Sequence, residues 1–184
     1  MSAADRWLVF DTETTGLPVP SAADLKSQPR IIELALVEIT ADIKRGPCLR
    51  EASWLINPGQ SLSAEITKIT GLTDDDLKGA LPFAAALQEI VPWFLGAHGL
   101  IAHNLPFDLT MLVNELRRLG KEYAFPYPPQ QICTVAAFEH LKGRRMKMTE
   151  LYQEVLGREL KQTHRALDDA RALTEIVIKE GIAE

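Results

Sequence analysis

Acidic residues in three separated segments place the strongest constraint on how this chain can fold. Asp11 and Glu13 follow a short apolar run in VFDTETTGL, Asp108 lies in HNLPFD, and HRALDDA carries His164 and Asp169. Two divalent cations held close together need several hard oxygen ligands from different parts of a chain, and a nearby histidine can deprotonate a water nucleophile. The fold must therefore bring the three segments together, and the donor set is typical of phosphodiester hydrolysis.

The first segment has the pattern of a strand that delivers its acids to one point. RWLVFD is a short apolar run, and the turn-forming residues TETTG follow it. Residues two apart on a strand point to the same face, whereas on a helix they are separated by about 200°. A strand therefore aims Asp11 and Glu13 at the same place.

The remaining segments predict an α/β fold with a mixed five-stranded sheet flanked by helices. Apolar runs in RIIELALVEIT, CLREASWLINP, GLIAH and QQICTVAAF predict four further strands. Helical periodicity is present in PFAAALQEIVPWFLG, LPFDLTMLVNELRRLG, MTELYQEVLG and HRALDDARALTEIVIKEG. AEITKITG and TDDDLKGA predict short helices, with Thr73 as an N-cap and Asp76 as its capping partner. Asp108 would lie in the first turn of its helix and point back toward the preceding strand.

Composition limits the class of protein. The chain has 184 residues, of which 46% are hydrophobic and 24% charged, as expected for one globular domain spanning residues 1–184. There is no apolar run of about 18 residues. The N-terminal MSAADRW lacks the pattern of a leader, which favours a cytoplasmic protein with no membrane insertion. Cys48 and Cys133 lack zinc-site spacing and are compatible with two reduced core thiols.

The net charge of −5 has the wrong sign for a protein that grips long duplex DNA through counterion release. It does not exclude an enzyme that acts on nucleic acid, because bound metal would neutralise acidic groups and local basic patches can steer phosphates. Two basic groups are candidates for such patches, although we favour their interpretation as solvated helix ends. They are Lys142, Arg144, Arg145 and Lys147, and Arg117, Arg118 and Lys121.

The three motifs resemble those of a known family. FDTETTGL, HNLPFDLTML and HRALDDA are similar, in order and spacing, to the exonuclease motifs of the DEDDh branch of the DnaQ-like 3'→5' exonucleases, which includes the exonuclease domain of the bacterial DNA polymerase III epsilon subunit. PRIIELALVEI, LINPGQSLSAEITKITGLTDDDL and MTELYQEVLG also resemble family segments, so the resemblance covers nearly the whole chain. It implies an RNase H-like fold and hydrolysis of nucleotides from a 3' end.

The resemblance also implies two divalent cations, Mg²⁺ or Mn²⁺, and a role for five residues. Asp11 would bridge both cations, Glu13 and Asp169 would complete the ligands of the first, and Asp108 would assist the second. The first cation would activate a water, the second would stabilise the leaving 3' oxygen, and His164 would accept the water's proton. An imidazole, whose ordinary pKa is about 6.5, can accept a proton at neutral pH.

Each acid also has an ordinary structural role open to it. Asp11 could cap a turn, Asp108 could be a first-turn acid favoured by the helix dipole, and Asp169 could be a solvated residue on a helix face. The order and spacing of the motifs disfavour all three roles together. The family pattern H-x-A-x-x-D selects Asp169 as the ligand, and we assign Asp168 to the surface.

Substrate contacts follow from the same resemblance. The residues that match them are Thr12, Thr14, Gly16, Leu17, Glu65, Thr70, His103, Asn104 and Phe107. Thr70 departs from the bacterial proofreading pattern, which commonly has histidine there, and this puts that contact in doubt. His103 and Asn104 have the alternative of satisfying backbone groups at a strand end, and for Phe107 we favour core packing. The loop 17–29 either gates the 3' end or is a tolerated insertion, which we favour.

The sequence thus predicts a metal-dependent 3'→5' exonuclease that hydrolyses terminal phosphodiesters of single-stranded or frayed DNA and releases nucleoside 5'-monophosphates. The D-x-E-T-T-G and HNxPFD forms are closer to DNA-directed members than to oligoribonuclease, so trimming of RNA ends is the second hypothesis. A noncatalytic nucleic-acid-binding polymerase subunit and an RNase H-like endonuclease are further alternatives. The expected partners are DNA 3' ends, and the sequence leaves open whether RNA or a DNA polymerase is also a partner.

Overall fold

The computed structural model describes residues 6–19, 24–40 and 48–182. Six strands form one sheet: β1 (Arg6–Thr14), β2 (Ile31–Thr40), β3 (Cys48–Asn57), β4 (Leu81–Pro82), β5 (Gly99–Ala102) and β6 (Gln130–Cys133). Seven α-helices are described: α1 (Ala64–Thr70), α2 (Asp74–Lys78), α3 (Phe83–Phe94), α4 (Leu105–Arg118), α5 (Thr134–Ala137), α6 (Met148–Leu156) and α7 (Ala166–Glu180). A 3₁₀ turn covers Glu139–Leu141.

The strand order is β4-β3-β2-β1-β5-β6, with β1 near the centre of the sheet. β1, β2 and β3 form an antiparallel meander, whereas β5 pairs parallel with β1 and β6 pairs parallel with β5. The sheet is therefore mixed and flanked by helices, as predicted. The sixth strand is the two-residue β4, which pairs with the end of β3 and is too short to leave a periodic pattern in the sequence.

Side-chain alternation along β1 divides the core between the two faces of the sheet. Leu8 and Phe10 pack with residues of α3 and α4, whereas Trp7 and Val9 pack with residues of α6 and α7. Every residue of β2 is buried, because helices cover both of its faces. Continuing the alternation places Asp11 and Glu13 on the α7 face and Thr12 on the α4 face.

Local signals in the sequence explain where several elements begin. Thr73 and Asp76 form the predicted capping box at the start of α2, which satisfies first-turn N–H groups. Gly99 begins β5 directly against the Trp7 ring, and a methyl group at this position would overlap the ring. Glycine there allows β5 to approach β1.

Two further expectations concern the cysteines and membranes. Cys133 is a free thiol and partly buried, while the side chain of Cys48 lies outside the described residues. Within the described ranges, no helix has both the length and the apolar character needed to cross a membrane.

Candidate active site

The face of β1 that packs against α7 carries Asp11 and Glu13, and the first turn of α7 carries Asp169. The ligand atoms of Glu13, His164 and Asp169 all lie within 4.8 Å of one another. Asp169 is only 4% exposed, so it is not a solvated residue on a helix face. The strand end and the helix start therefore meet, although they are distant in the chain.

Asp108 reaches the same region from α4. It lies in the first turn of that helix, as predicted, and is 2% exposed. One of its carboxylate oxygens accepts two hydrogen bonds from Thr12, from the amide at 3.0 Å and from the hydroxyl at 2.7 Å. Because Thr12 lies between Asp11 and Glu13, these bonds attach α4 to the acidic end of β1.

Burial and mutual repulsion raise the pKa values of the acids. Burial raises the pKa of Asp11 well above its ordinary value, and the charges of Asp108, Asp169 and Glu13 raise it further. The pKa of Glu13 is raised to about 8, first by burial and then by Asp169. Burial raises the pKa of Asp108 to about 7, although the hydrogen bonds from Thr12 oppose the shift. The Asp169 pKa is also raised, mainly by burial. The four carboxyl groups therefore cannot all ionise at neutral pH without compensating positive charge.

His164 lies in the loop immediately before α7 and is exposed. Its φ angle is 53°, in the left-handed region that non-glycine residues seldom adopt. This backbone conformation, followed by the extended Arg165, places the imidazole beside Glu13 and Asp169. The histidine is therefore within reach of both a cation at the acids and a water molecule.

The chemistry of this donor set fits divalent cations. Four carboxylates supply hard oxygen ligands of the kind that Mg²⁺ and Mn²⁺ prefer, and the imidazole adds a nitrogen donor. Positive charge would also relieve the repulsion that raises the four pKa values. The residues present are therefore suited to a metal centre.

A cavity of about 520 Å³ lies beside the acids. Its lining includes seven of the nine predicted substrate residues: Thr12, Thr14, Gly16, Leu17, Glu65, Thr70 and Phe107. Leu17 and Ile69 are 79% and 44% exposed. The volume lies within the range of about 300–1,000 Å³ that is typical of small-molecule sites.

Three of these residues have more than one role. Phe107 packs against the core as predicted, but it also lines the cavity. The Thr12 hydroxyl bonds to Asp108. The Thr70 hydroxyl donates to the Ile66 carbonyl at 2.9 Å and accepts from the Leu72 amide at 3.2 Å, which leaves one lone pair of its oxygen to face a ligand.

His103 and Asn104 are not among the described residues that line this cavity. The ring nitrogens of His103 lie 3.0 Å from the Thr134 hydroxyl and 3.2 Å from the Met146 carbonyl. Asn104 is the N-cap residue of α4, with φ 65°, and its side chain accepts a hydrogen bond from Arg145. His103 thus contacts one backbone carbonyl and Asn104 contacts a side chain, and a role for either residue in the substrate path stays a prediction.

Three of the seven residues in the two basic groups pair with nearby acids. Lys142 and Arg144 pair with Glu154 and Glu150 of α6, and Arg118 pairs with Glu115 of its own helix. These contacts agree with their interpretation as helix-end residues. Part of the loop 17–29 lies outside the described residues; from its described part, Leu25, Gln28 and Pro29 offer carbonyls to Arg118.

The sequence does not predict three polar residues that lie around the site: Gln162, Glu33 and Arg165. Gln162 donates a hydrogen bond to Asp169 at 2.7 Å. Glu33 of β2 lies directly opposite Glu13 in the sheet and pairs with Arg165. The sequence does contain an indication for Glu33, which is an acid within RIIELALV, an apolar run that predicts a buried strand. A buried acid needs a charged or hydrogen-bonding partner.

Comparisons with known proteins agree with this geometry. The family model for exonucleases (RNase_T) matches residues 8–177. A PolC-type DNA polymerase III of Bacillus cereus is 32% identical over 177 residues, which are 96% of this chain and 11% of that protein. The 3'-5' exonuclease DinG of Bacillus subtilis is 32% identical over 170 residues, which are 90% of this chain and 16% of that protein. The chain thus spans a small fraction of the length of these curated relatives.

Solved structures share the fold. The nuclease domain of 3'hExo, a DEDDh family member bound to rAMP, superposes with a TM-score of 0.75 at 18% identity and covers 95% of this chain and 90% of its own. Exonuclease X in complex with 5' overhanging duplex DNA gives a TM-score of 0.64 at 22% identity and covers 94% of this chain and 89% of its own. These matches confirm the RNase H-like fold. The match of the family model over residues 8–177 shows that the chain belongs to the exonuclease (RNase_T) family.

Proposed function

We propose that residues 1–184 form one exonuclease domain that removes nucleotides from DNA 3' ends with the help of two divalent cations, Mg²⁺ or Mn²⁺. The observation that carries the proposal is the meeting of Asp11, Glu13, Asp108 and Asp169 from three distant segments beside one cavity. A binding module would gain nothing from four mutually repelling acids at a site for an anionic ligand.

In this proposal the two cations have different ligands, except that Asp11 is shared. Asp11, Glu13 and Asp169 would hold one cation, and Asp108 would hold the second together with Asp11. When bound, the cations supply positive charge that lowers the pKa of a water molecule and neutralises the phosphodiester. Thr12 and Gln162 orient Asp108 and Asp169 by hydrogen bonds that restrict their rotation.

His164 acts as the general base. Its imidazole takes the proton of the attacking water, and the neighbouring carboxylate of Asp169 stabilises the imidazolium that forms. The water oxygen forms a bond to the terminal phosphorus while the bond to the 3' oxygen of the preceding nucleotide breaks. The leaving 3' oxygen takes a proton from solvent, so that the products are a nucleoside 5'-monophosphate and a strand that ends in a free 3' hydroxyl.

The cavity receives the terminal nucleotide. Glu65 and the oxygen of Thr70 provide polar contacts for the sugar, and Phe107 provides an aromatic surface for the base. Leu17 and Ile69 project from the rim, where an exposed apolar side chain can pack against an unstacked base. These contacts require an unpaired end, which supports single-stranded or frayed substrates.

DNA is the proposed substrate because relatives at or above 30% identity include PolC-type DNA polymerases. RNA is the second candidate, because the solved structures of similar fold include a 3'-exonuclease that recognises a histone mRNA stem-loop. Glu65 bears on this choice, since its carboxylate can accept a hydrogen bond from a ribose 2'-hydroxyl as well as from the 3'-hydroxyl. The PolC relatives also make a DNA polymerase a proposed partner.

One incubation series tests the proposal. Single-stranded DNA, duplex DNA and RNA, each labelled at the 5' or 3' end, are incubated with Mg²⁺, Mn²⁺, Ca²⁺ or EDTA. We expect a ladder from 5'-labelled DNA and early release of labelled mononucleotide from 3'-labelled DNA, with Mg²⁺ or Mn²⁺ only. Asp11→Ala should abolish both signals, while cleavage of circular DNA would instead indicate an endonuclease. Faster degradation of RNA than of DNA would favour the second candidate.

A further inference from the structure

Glu33 is a buried acid for which the reaction has no direct use. Its side chain is 1% exposed, and it lies directly opposite Glu13 on the adjacent strand. Like charges at opposite positions destabilise a sheet, and a buried carboxylate is stable only when it is paired. The sequence has nevertheless placed Glu33 next to the acids of the site.

Two adjacent residues at the start of α7, Arg165 and Ala166, donate hydrogen bonds to the Glu33 carboxylate. The Arg165 guanidinium donates from Nε to Oε2 at 2.9 Å and from Nη2 to Oε1 at 3.0 Å. The Ala166 amide donates to Oε2 at 3.1 Å. We call this set of three hydrogen bonds the Glu33 clamp. Its geometry is bidentate, which restricts orientation more than a single bond does.

The Glu33 clamp serves as the N-terminal cap of α7. Ala166 is the first residue of the helix, and the N-cap residue Arg165 makes no side-chain cap bond of its own. The first N–H groups of a helix need acceptors from outside, and a carboxylate there also interacts favourably with the helix dipole. Here the acceptor comes from β2, so the start of the helix is fixed relative to the sheet.

His164 and Asp169 lie on either side of the helix start that the Glu33 clamp holds. His164 immediately precedes Arg165 and adopts φ 53°, a conformation that persists only when the surroundings hold it. Asp169 follows Ala166 by three residues, and its amide donates to the Arg165 carbonyl at 3.0 Å. A movement of Arg165 would therefore displace His164 and Asp169 together.

We propose that Glu33 is a positioning residue, which holds His164 and Asp169 opposite Glu13 through Arg165 and the Ala166 amide. The inference rests on the proposed function of these residues. Arg165 also compensates the Glu33 charge, which allows a fifth acid to lie among the other four. The clamp touches neither the cavity nor the proposed ligands directly.

Two variants break the clamp from opposite sides, and a third is a matched control. Glu33→Gln removes the charge, and Arg165→Gln removes the guanidinium, whose side chain is 41% exposed. The control is Glu38→Gln. Glu38 is also a buried β2 glutamate paired with arginines, Arg6 at 2.7 Å and Arg50 at 2.9 Å. It lies on the opposite face of β2, away from the acids, because its position differs from that of Glu33 by an odd number.

Three measurements are made on each protein: amide hydrogen exchange over residues 163–170, Mn²⁺ affinity by electron paramagnetic resonance, and kcat and KM on 5'-labelled single-stranded DNA. We expect faster exchange in both clamp variants, and about 10–100-fold losses in Mn²⁺ affinity or kcat. KM should change by less than about twofold, because the clamp does not touch the substrate. Glu38→Gln should lower the unfolding temperature and leave the three measurements unchanged.

Specific outcomes would overturn the inference. If Glu33 acted only through its charge, the two variants would shift Mn²⁺ affinity in opposite directions, because they change the local charge with opposite signs. Unchanged exchange over 163–170 would also exclude positioning. If neither clamp variant folded while Glu38→Gln did, the clamp would be structural alone. An inactive wild type would refute only the proposed function, since exchange and Mn²⁺ affinity would still test the clamp.

Discussion

Thr12 donates two hydrogen bonds to one oxygen of Asp108, across 96 positions of sequence. The two bonds favour the ionised carboxylate and so oppose the effect of burial, which raises its pKa to about 7. They also leave the other carboxylate oxygen free of this contact. Thr12 therefore orients Asp108, which we propose as a cation ligand, whereas the resemblance of its motif implies a contact with substrate.

Thr12→Val tests this role, because valine keeps the branched shape and removes the hydroxyl. We expect the Asp108 pKa to rise further and Mn²⁺ affinity to fall by about tenfold, since a partner that orients a metal ligand is lost. Thr12→Ser, which keeps the hydroxyl, should stay close to wild type. Isothermal titration with Mn²⁺ measures both variants, and equal affinities for valine and serine would show that the hydroxyl is irrelevant.

Adjacent acids on α7 provide a second test. Asp169 is buried and lies within 4.8 Å of Glu13 and His164, whereas Asp168 is exposed and bonds to Thr163. Asp169→Asn should lower kcat by at least about 100-fold, because it removes a negative charge from the proposed cation site. Asp168→Asn should stay within about twofold of wild type. Comparable losses in the two variants would contradict the motif assignment.

The raised pKa values make the stability of the metal-free protein depend on pH. Glu13 and Asp108 titrate near 8 and 7 in the folded protein but near their ordinary values when unfolded. The unfolded chain therefore loses these protons first as pH rises. Their contribution to stability is fully present below about pH 4 and is lost as the pH rises through about 7 to 8.

In EDTA, we therefore expect the free energy of unfolding to decrease between about pH 5 and pH 8, by at most about 1.4 kcal/mol per pH unit for each group. Asp11→Asn should flatten this slope and stabilise the metal-free protein at the alkaline end, because it removes one of the repelling charges. Guanidinium unfolding followed by circular dichroism gives the slopes. If the metal-free wild type became more stable over this pH range, the result would contradict the raised pKa values of Glu13 and Asp108.

The acidic site was predictable because strand periodicity and motif spacing carry most of its geometry. The D-x-E pair had to share one face of β1, and Asp108 had to lie in the first turn of α4. The resemblance of HRALDDA to the family pattern H-x-A-x-x-D selects Asp169 over its exposed neighbour, and the structure buries the selected residue. Local patterns thus fixed both the elements and the orientation of their acids.

The sequence could not supply contacts that depend on packing between elements. The pairing of Glu33 with Arg165 joins residues 132 positions apart, and no local pattern encodes that distance. The contacts of His103 with Thr134 and Met146 also join residues that are 31 and 43 positions apart. The two-residue β4 is likewise defined only by its partner strand.

His164 could act as a cation ligand or as a general base, and the variant His164→Ala distinguishes these two roles. It is one of three groups whose ligand atoms cluster within 4.8 Å, so it could bind a cation, whereas the proposed mechanism makes it a base. As a base, His164→Ala should lower kcat by about 10²–10⁴-fold and leave Mn²⁺ affinity nearly unchanged. A large loss of affinity would make it a ligand instead. His140→Ala, at an exposed histidine of the 3₁₀ turn, is the control.

Leu17 is expected to contribute to substrate binding, because it is 79% exposed and lines the cavity beside the acids. Leu17→Ala should raise KM for single-stranded DNA by several-fold, since each CH₂ group that packs against a base and leaves water contributes about 0.8 kcal/mol. The unfolding temperature should not change, because the side chain supports no core. Leu95→Ala, at a 55% exposed leucine at the end of α3, should leave both quantities unchanged. A lower kcat at constant KM would instead show that Leu17 acts on the reacting end of the strand, and steady-state kinetics on a series of oligonucleotide lengths distinguishes the two effects.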